Sequence, residues 1–129
     1  IRAALPLLKK SGAGRVLNAG SIAGRLSDVG LVAYGCSKAG IDMMTRIVAA
    51  ELAPWGITVN NIAPGFVLSN PTTERQWQAY GEQGQRDLIE RIALKRLGAS
   101  DDIAHGVLFF ASEYAGWISG QVISIDRGK

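Results

Sequence analysis

Two short apolar runs, Arg15-Val16-Leu17-Asn18-Ala19 and Ile57-Thr58-Val59-Asn60-Asn61-Ile62, stand on either side of one long helical pattern, and this order narrows the possible folds more than any other feature of the sequence. The first is short and mostly apolar, as a strand buried on both faces of a parallel sheet must be, and the second reads as another short strand that Ala63-Pro64-Gly65 breaks. Over Val32–Leu52, between them, Ile41, Met44, Ile47, Val48 and Leu52 recur at helical spacing. Such a stripe predicts an amphipathic helix, and Pro54 with Gly56 closes it. A third run, Gln121-Val122-Ile123-Ser124-Ile125-Asp126, follows a further helical pattern. Strands separated by helices imply right-handed crossovers and a parallel sheet with helices on both faces, the α/β class.

The remaining segments fit around that frame. Residues 1–10 have a helical apolar rhythm, ended by Ser11-Gly12-Ala13-Gly14. Residues 20–30 are rich in Gly and Ser and read as a loop. The polar stretch 69–86 shows no clear periodicity and predicts a mobile loop or lid with short helical pieces. Residues 87–94 look helical, and Ser100-Asp101-Asp102 is a good N-cap for a helix over 103–112. No repeat or linker divides the chain, so residues 1–129 read as one domain.

Composition excludes several classes. With 47% hydrophobic and 19% charged residues the chain can build a core, which argues against disorder. The net charge of +3 is scattered, no basic run being longer than Lys9-Lys10, so nucleic acid is not an expected partner. The one cysteine, Cys36, cannot form an internal disulfide; it reads as a small packed thiol in a reducing, cytoplasmic setting. The apolar stretch 1–8 is too short to span a bilayer, and no metal-ligand cluster is evident. The sequence opens with Ile1 in mid-helix, so either the N-terminus was lost or this is a fragment of a longer product.

The chemistry is concentrated near the start of the long helix. Tyr34 and Lys38 are four residues apart, so they share one helix face. A free phenol titrates near pH ~10, and an ammonium beside it favours the phenolate, which suits a general acid/base acting on an alcohol or carbonyl. Ser21 lies just past the first strand, where parallel sheets present reactive groups, and its hydroxyl could donate to the same oxygen.

Three blocks, Asn18-Ala19-Gly20-Ser21-Ile22-Ala23-Gly24, Tyr34-Gly35-Cys36-Ser37-Lys38-Ala39-Gly40 and Gly56-Ile57-Thr58-Val59-Asn60-Asn61-Ile62-Ala63-Pro64-Gly65, are similar in order and spacing to the short-chain dehydrogenase/reductase family. The likeness continues through Arg96-Leu97-Gly98, Asp102-Ile103-Ala104, Phe110-Ala111-Ser112 and Ile118-Ser119-Gly120-Gln121 to Asp126, over essentially the whole chain. It implies a Rossmann-like sheet, here the C-terminal portion of the doubly wound fold. It also implies an NAD- or NADP-dependent oxidoreductase that passes hydride between nicotinamide and a small alcohol or carbonyl compound. By the resemblance, Tyr34 exchanges the proton, Lys38 lowers its pKa and holds the ribose hydroxyls, and Ser21 orients the carbonyl. Pro64-Gly65 is the nicotinamide-side turn, Val67 meets the carboxamide through its backbone, and Ser69 stands where Thr is usual. A homo-oligomer, dimer or tetramer, is expected by the same analogy.

Departures from the family pattern open a second reading. The glycine-rich phosphate loop, the residue choosing between NAD and NADP, and the relay Asn are expected upstream of Ile1. Arg127 replaces a usual Gly and is expected to turn its charge outward. The chain as given could therefore be a non-catalytic remnant or assembly module. His105 reads as a surface or capping residue, while Trp77 and Tyr80 either line a pocket or simply pack.

Overall fold

The computed structural model describes residues 1–26 and 29–128. In chain order the elements are α1 (Leu5–Ser11), β1 (Arg15–Ala19), a 3-10 turn (Ile22–Gly24), α2 (Val32–Leu52), β2 (Thr58–Pro64), α3 (Pro71–Ala79), α4 (Gly81–Arg91), α5 (Ser100–Ala111) and β3 (Val122–Ile125). The strands form one parallel sheet in the order β1-β2-β3, with Ala19 opposite Ile62 and Ile62 opposite Ile123. The bounds of β1 and α2 match the sequence reading. Part of the expected loop at 20–30, Ser27 and Asp28, lies outside the described residues.

Two apolar clusters cover the two faces of the sheet. Val59 packs with Ala49 and Leu52 of α2, and with Leu5 and Leu8 of α1. Ile62 packs with Phe110 and Ile103 of α5. Val59 and Ile62 are three residues apart on one strand, so they point to opposite faces, which places α2 and α5 on opposite sides. Yet both connections step the same way across the sheet. They consequently have opposite hands, and the expectation that every crossover is right-handed fails for one of them. The rule arises when a single helix packs straight back on the sheet; the long excursion through α3, α4 and α5 is not such a unit and carries the exception.

Polar residues tie α2 to the strands from within. Thr45, fully buried, accepts a hydrogen bond from Asn18 Nδ2 at 2.9 Å and donates to the Ile41 carbonyl at 2.8 Å. Asp42 accepts from Asn61 Nδ2 at 2.7 Å and from Arg25 Nε at 3.2 Å. Arg25 in turn donates to the Val122 carbonyl and Ser124 Oγ of β3. One carboxylate on α2 thereby joins the 3-10 turn, the central strand and, through Arg25, the edge strand.

The stretch at 69–86, expected as a loop with helical pieces, is largely two helices. Asn70 starts α3: its side chain accepts from the N–H groups of Thr72 and Thr73, Thr73 Oγ1 accepts from the Asn70 N–H, and Pro71 takes the first turn. Periodicity failed to reveal these helices because they are polar on most sides. α4 also begins and ends earlier than the pattern at 87–94 suggests. α5 starts at Ser100, ahead of the expected cap; Asp102 serves its first turn by accepting from the Ala99 N–H at 2.8 Å and from both Arg96 terminal nitrogens at 3.0 Å. The Ala99 N–H and then Arg96 hold the Asp102 carboxyl below its ordinary pKa. This contribution is present above the ordinary carboxylate range and is lost as pH falls through the lowered value.

Two expectations about single residues are overturned. Arg127 does not turn outward: its side chain is 8% exposed and Nη2 donates to Asp102. Its backbone takes φ +61, a left-handed conformation. Cys36 is exposed rather than packed, because it lies off the stripe of Lys38, Asp42, Thr45 and Ala49 that α2 turns towards the sheet. No described helix is long and apolar enough to cross a membrane.

Candidate active site

The carboxyl ends of β1 and β2 open onto a cleft of about 540 Å³. Parallel sheets place ligand sites at this edge because the loops leaving the strands diverge there. Ser21 follows β1 directly and caps the 3-10 turn, its Oγ accepting from the Ala23 N–H at 3.2 Å. That bond occupies an acceptor site and leaves the hydroxyl proton free. Tyr34, in the first turn of α2, is 47% exposed and borders the same cleft. Lys38, half-buried one turn on, donates to the Ala19 carbonyl at 3.1 Å, and its ammonium is 5.5 Å from the Tyr34 ring centroid.

Two glycines set this geometry. A Cβ on Gly20 would stand 2.7 Å from Asn61 Nδ2, so any side chain here would have to displace the buried Asn61 amide. A Cβ on Gly24 would stand 2.9 Å from both the Ala39 nitrogen and the Lys38 carbonyl carbon. The 3-10 turn therefore rests on the backbone of α2 at the residue bearing the ammonium. In the full-length polypeptide Gly24→Ala is expected to push α2 away and cost about 1–3 kcal/mol, read as a lower denaturation midpoint; an unchanged midpoint would show that the contact carries no load.

The opposite wall is the turn after β2. Pro64, Gly65, Val67 and Ser69 all border the cleft. The Gly65 N–H donates to the Ile125 carbonyl at 3.0 Å, and the Gly98 N–H donates to the Phe66 carbonyl at 3.1 Å, so the turn is held from two sides. Thr73 and Gln76 of α3 and Tyr80, its C-cap, continue the rim. Their spacing of three and four residues was the sequence signal for that wall, hidden because the positions are polar. Trp77 does not border the cleft; its ring packs 6.2 Å from Phe66, while Tyr80, at 5.9 Å from the same ring, does both. His105, exposed on α5, is not among the cleft residues.

Fold and cleft together define an α/β protein of Rossmann-like type, with a hydroxyl, a phenol and an ammonium at the carboxyl edge of its parallel sheet. The family model described as Enoyl-(Acyl carrier protein) reductase matches residues 1–129, and the chain belongs to the short-chain dehydrogenase/reductase family. It is 38% identical over 128 residues to the 3-oxoacyl-[acyl-carrier-protein] reductase FabG of Staphylococcus epidermidis, covering 99% of this chain and 50% of that protein. Among solved structures it resembles an NADPH-bound short-chain oxidoreductase from Pseudomonas aeruginosa PAO1 containing an atypical catalytic center, with TM-score 0.88, 30% identity and coverage of 98% and 50%. It also resembles an NAD⁺-bound xylitol dehydrogenase, with TM-score 0.88, 29% identity and coverage of 98% and 53%. The chain spans about half the length of the curated relatives it matches.

Proposed function

We propose that the complete polypeptide is an NAD(P)-dependent oxidoreductase acting on a small alcohol or carbonyl compound, and that residues 1–129 form the C-terminal part of its single catalytic domain. The observation that carries this reading is one cleft bordered by Ser21, Tyr34 and the turn at 64–69, with the Lys38 ammonium 5.5 Å from the phenol ring.

The donor set fits the nicotinamide and ribose half of a dinucleotide. Lys38 and Tyr34 present donors suited to ribose hydroxyls, while the backbone at Val67 and the hydroxyl of Ser69 suit a carboxamide. The nicotinamide, when bound, supplies or accepts the hydride. Tyr34 Oη gives its proton to the substrate oxygen as that oxygen becomes an alkoxide, and takes a proton in the reverse direction. Ser21 donates a hydrogen bond to the same oxygen with the proton its Ala23 contact leaves free, and Lys38 keeps positive charge beside the phenol.

A homo-oligomer, dimer or tetramer, accords with Met43, Met44 and Ile47 standing exposed along α2. A cytoplasmic setting accords with the lone exposed thiol of Cys36. The half-length match favours one other reading, a non-catalytic assembly module of the same fold.

Incubation of the full-length polypeptide with NADH or NADPH and a panel of small ketones, aldehydes and 3-oxoacyl thioesters is expected to give carbonyl-dependent loss of the reduced nicotinamide. Cofactor binding without oxidation by any carbonyl would sink the enzyme reading in favour of the module.

A further inference from the structure

Beneath the turn at 64–67 lies a group that the proposed chemistry does not use. The Asp102 carboxylate is shared by two guanidinium groups, Arg96 and Arg127. These arginines belong to the two segments that hold the turn. Arg96 lies two residues before Gly98, which bonds the Phe66 carbonyl, and Arg127 follows Ile125 and Asp126, which bond and back Gly65. Gly65 itself is pressed close: a Cβ there would stand 2.9 Å from Asp126 Cβ.

Arg127 is the unusual member. It is not glycine, yet its φ is +61, a conformation that costs an L-residue free energy and persists where the surroundings over-determine it. Its side chain is more than nine-tenths buried, and Nη1 has no hydrogen-bond partner among the described residues. It borders a void of about 10 Å³ together with Gly65, Phe66, Arg96, Gly98 and Asp102, directly under the turn. A strained backbone and a buried cation are thus both spent at one place, where two strand-end segments meet.

We propose that Arg127 is a positioning residue: with Asp102 and Arg96 it clamps the two supports of the 64–67 turn together and so sets the height of the wall that meets the nicotinamide carboxamide. The functional part rests on the reading that this wall faces nicotinamide; the clamp itself does not. Glycine at 127 would relieve the backbone and remove the clamp, so turn order is expected to fall without a matching fall in stability, which a purely structural role would not produce.

In the full-length polypeptide, Arg127→Gly is expected to shift the thermal midpoint little, relief of the left-handed backbone offsetting the lost ion pair, while amide hydrogen exchange at Gly65 and Gly98 speeds up about tenfold, with exchange in α2 unchanged. The KM for NADH or NADPH is expected to rise about fivefold or more with a smaller change in kcat. Arg127→Lys, which keeps the charge, is expected to recover part of the slow exchange. Unchanged exchange at Gly65 and Gly98 overturns the clamp. Faster exchange with an unchanged cofactor KM overturns its role in cofactor placement. A parent protein that oxidises no reduced nicotinamide defeats the proposed function instead, while the exchange measurement still decides the clamp.

Discussion

Replacing Tyr34 by Phe in the full-length polypeptide is expected to lower carbonyl reduction by roughly 10²- to 10⁴-fold, the range a positioned acid contributes. The change deletes one oxygen. Tyr34 is half-exposed at the head of α2, so the ring of Phe keeps the contacts that Tyr makes and the helix does not depend on the hydroxyl for a cap. Loss should fall mainly on kcat, because the proton is delivered only as negative charge develops on the substrate oxygen, while the phenol's hydrogen bond to the ribose adds a smaller loss of cofactor binding. Single-turnover measurement of nicotinamide oxidation, with cofactor binding followed in parallel, separates the two. If the variant reduces the carbonyl at the parent rate, Tyr34 is not the acid, and the cleft must do its chemistry through another group or none.

Asp42→Ala has the largest expected effect on stability. The carboxylate is buried at the junction of α2 with the sheet and receives Asn61 Nδ2 and Arg25 Nε. Asn61 is fully buried, and its Oδ1 already lacks a partner among the described residues. Deleting the carboxylate would orphan the amide nitrogen as well, at a cost of about 1–3 kcal/mol. Arg25 adds less, since its side chain is 36% exposed and water screens and replaces the pairing. A total of about 2–3 kcal/mol is expected from urea denaturation of the full-length variant, a large share of a typical domain's stability. A loss below about 0.5 kcal/mol, the size of an ordinary surface change, would mean that the network contributes little.

The strands and the long helix were legible because their signals are local. The apolar runs that became β1 and the core of β2, and the stripe over Val32–Leu52, each carry their own periodicity, and burial on both faces only reinforces what the residue types already favour. The positions of Ser21, Tyr34 and Lys38 were readable for a related reason: i and i+4 share a helix face, and a residue just past a parallel strand stands at the open edge. The polar helices α3 and α4 were not legible as a wall, because Thr73 and Gln76 of α3 are polar and Leu88 of α4 is a single apolar position among the residues that border the cleft there.

What the amino-acid order determined alone was the alternation of strand and helix and the pairing of phenol with ammonium, since both depend on neighbours within one turn or one strand. What only tertiary structure decided was everything set by distant meetings. These include the opposite hands of the two crossovers, the Asp42 junction with Asn61 and Arg25, and the inward turn of Arg127 onto Asp102. Those contacts join residues that lie far apart along the chain, and their energies come from burial and charge neutralisation that exist only after the sheet has assembled, so no local pattern could announce them.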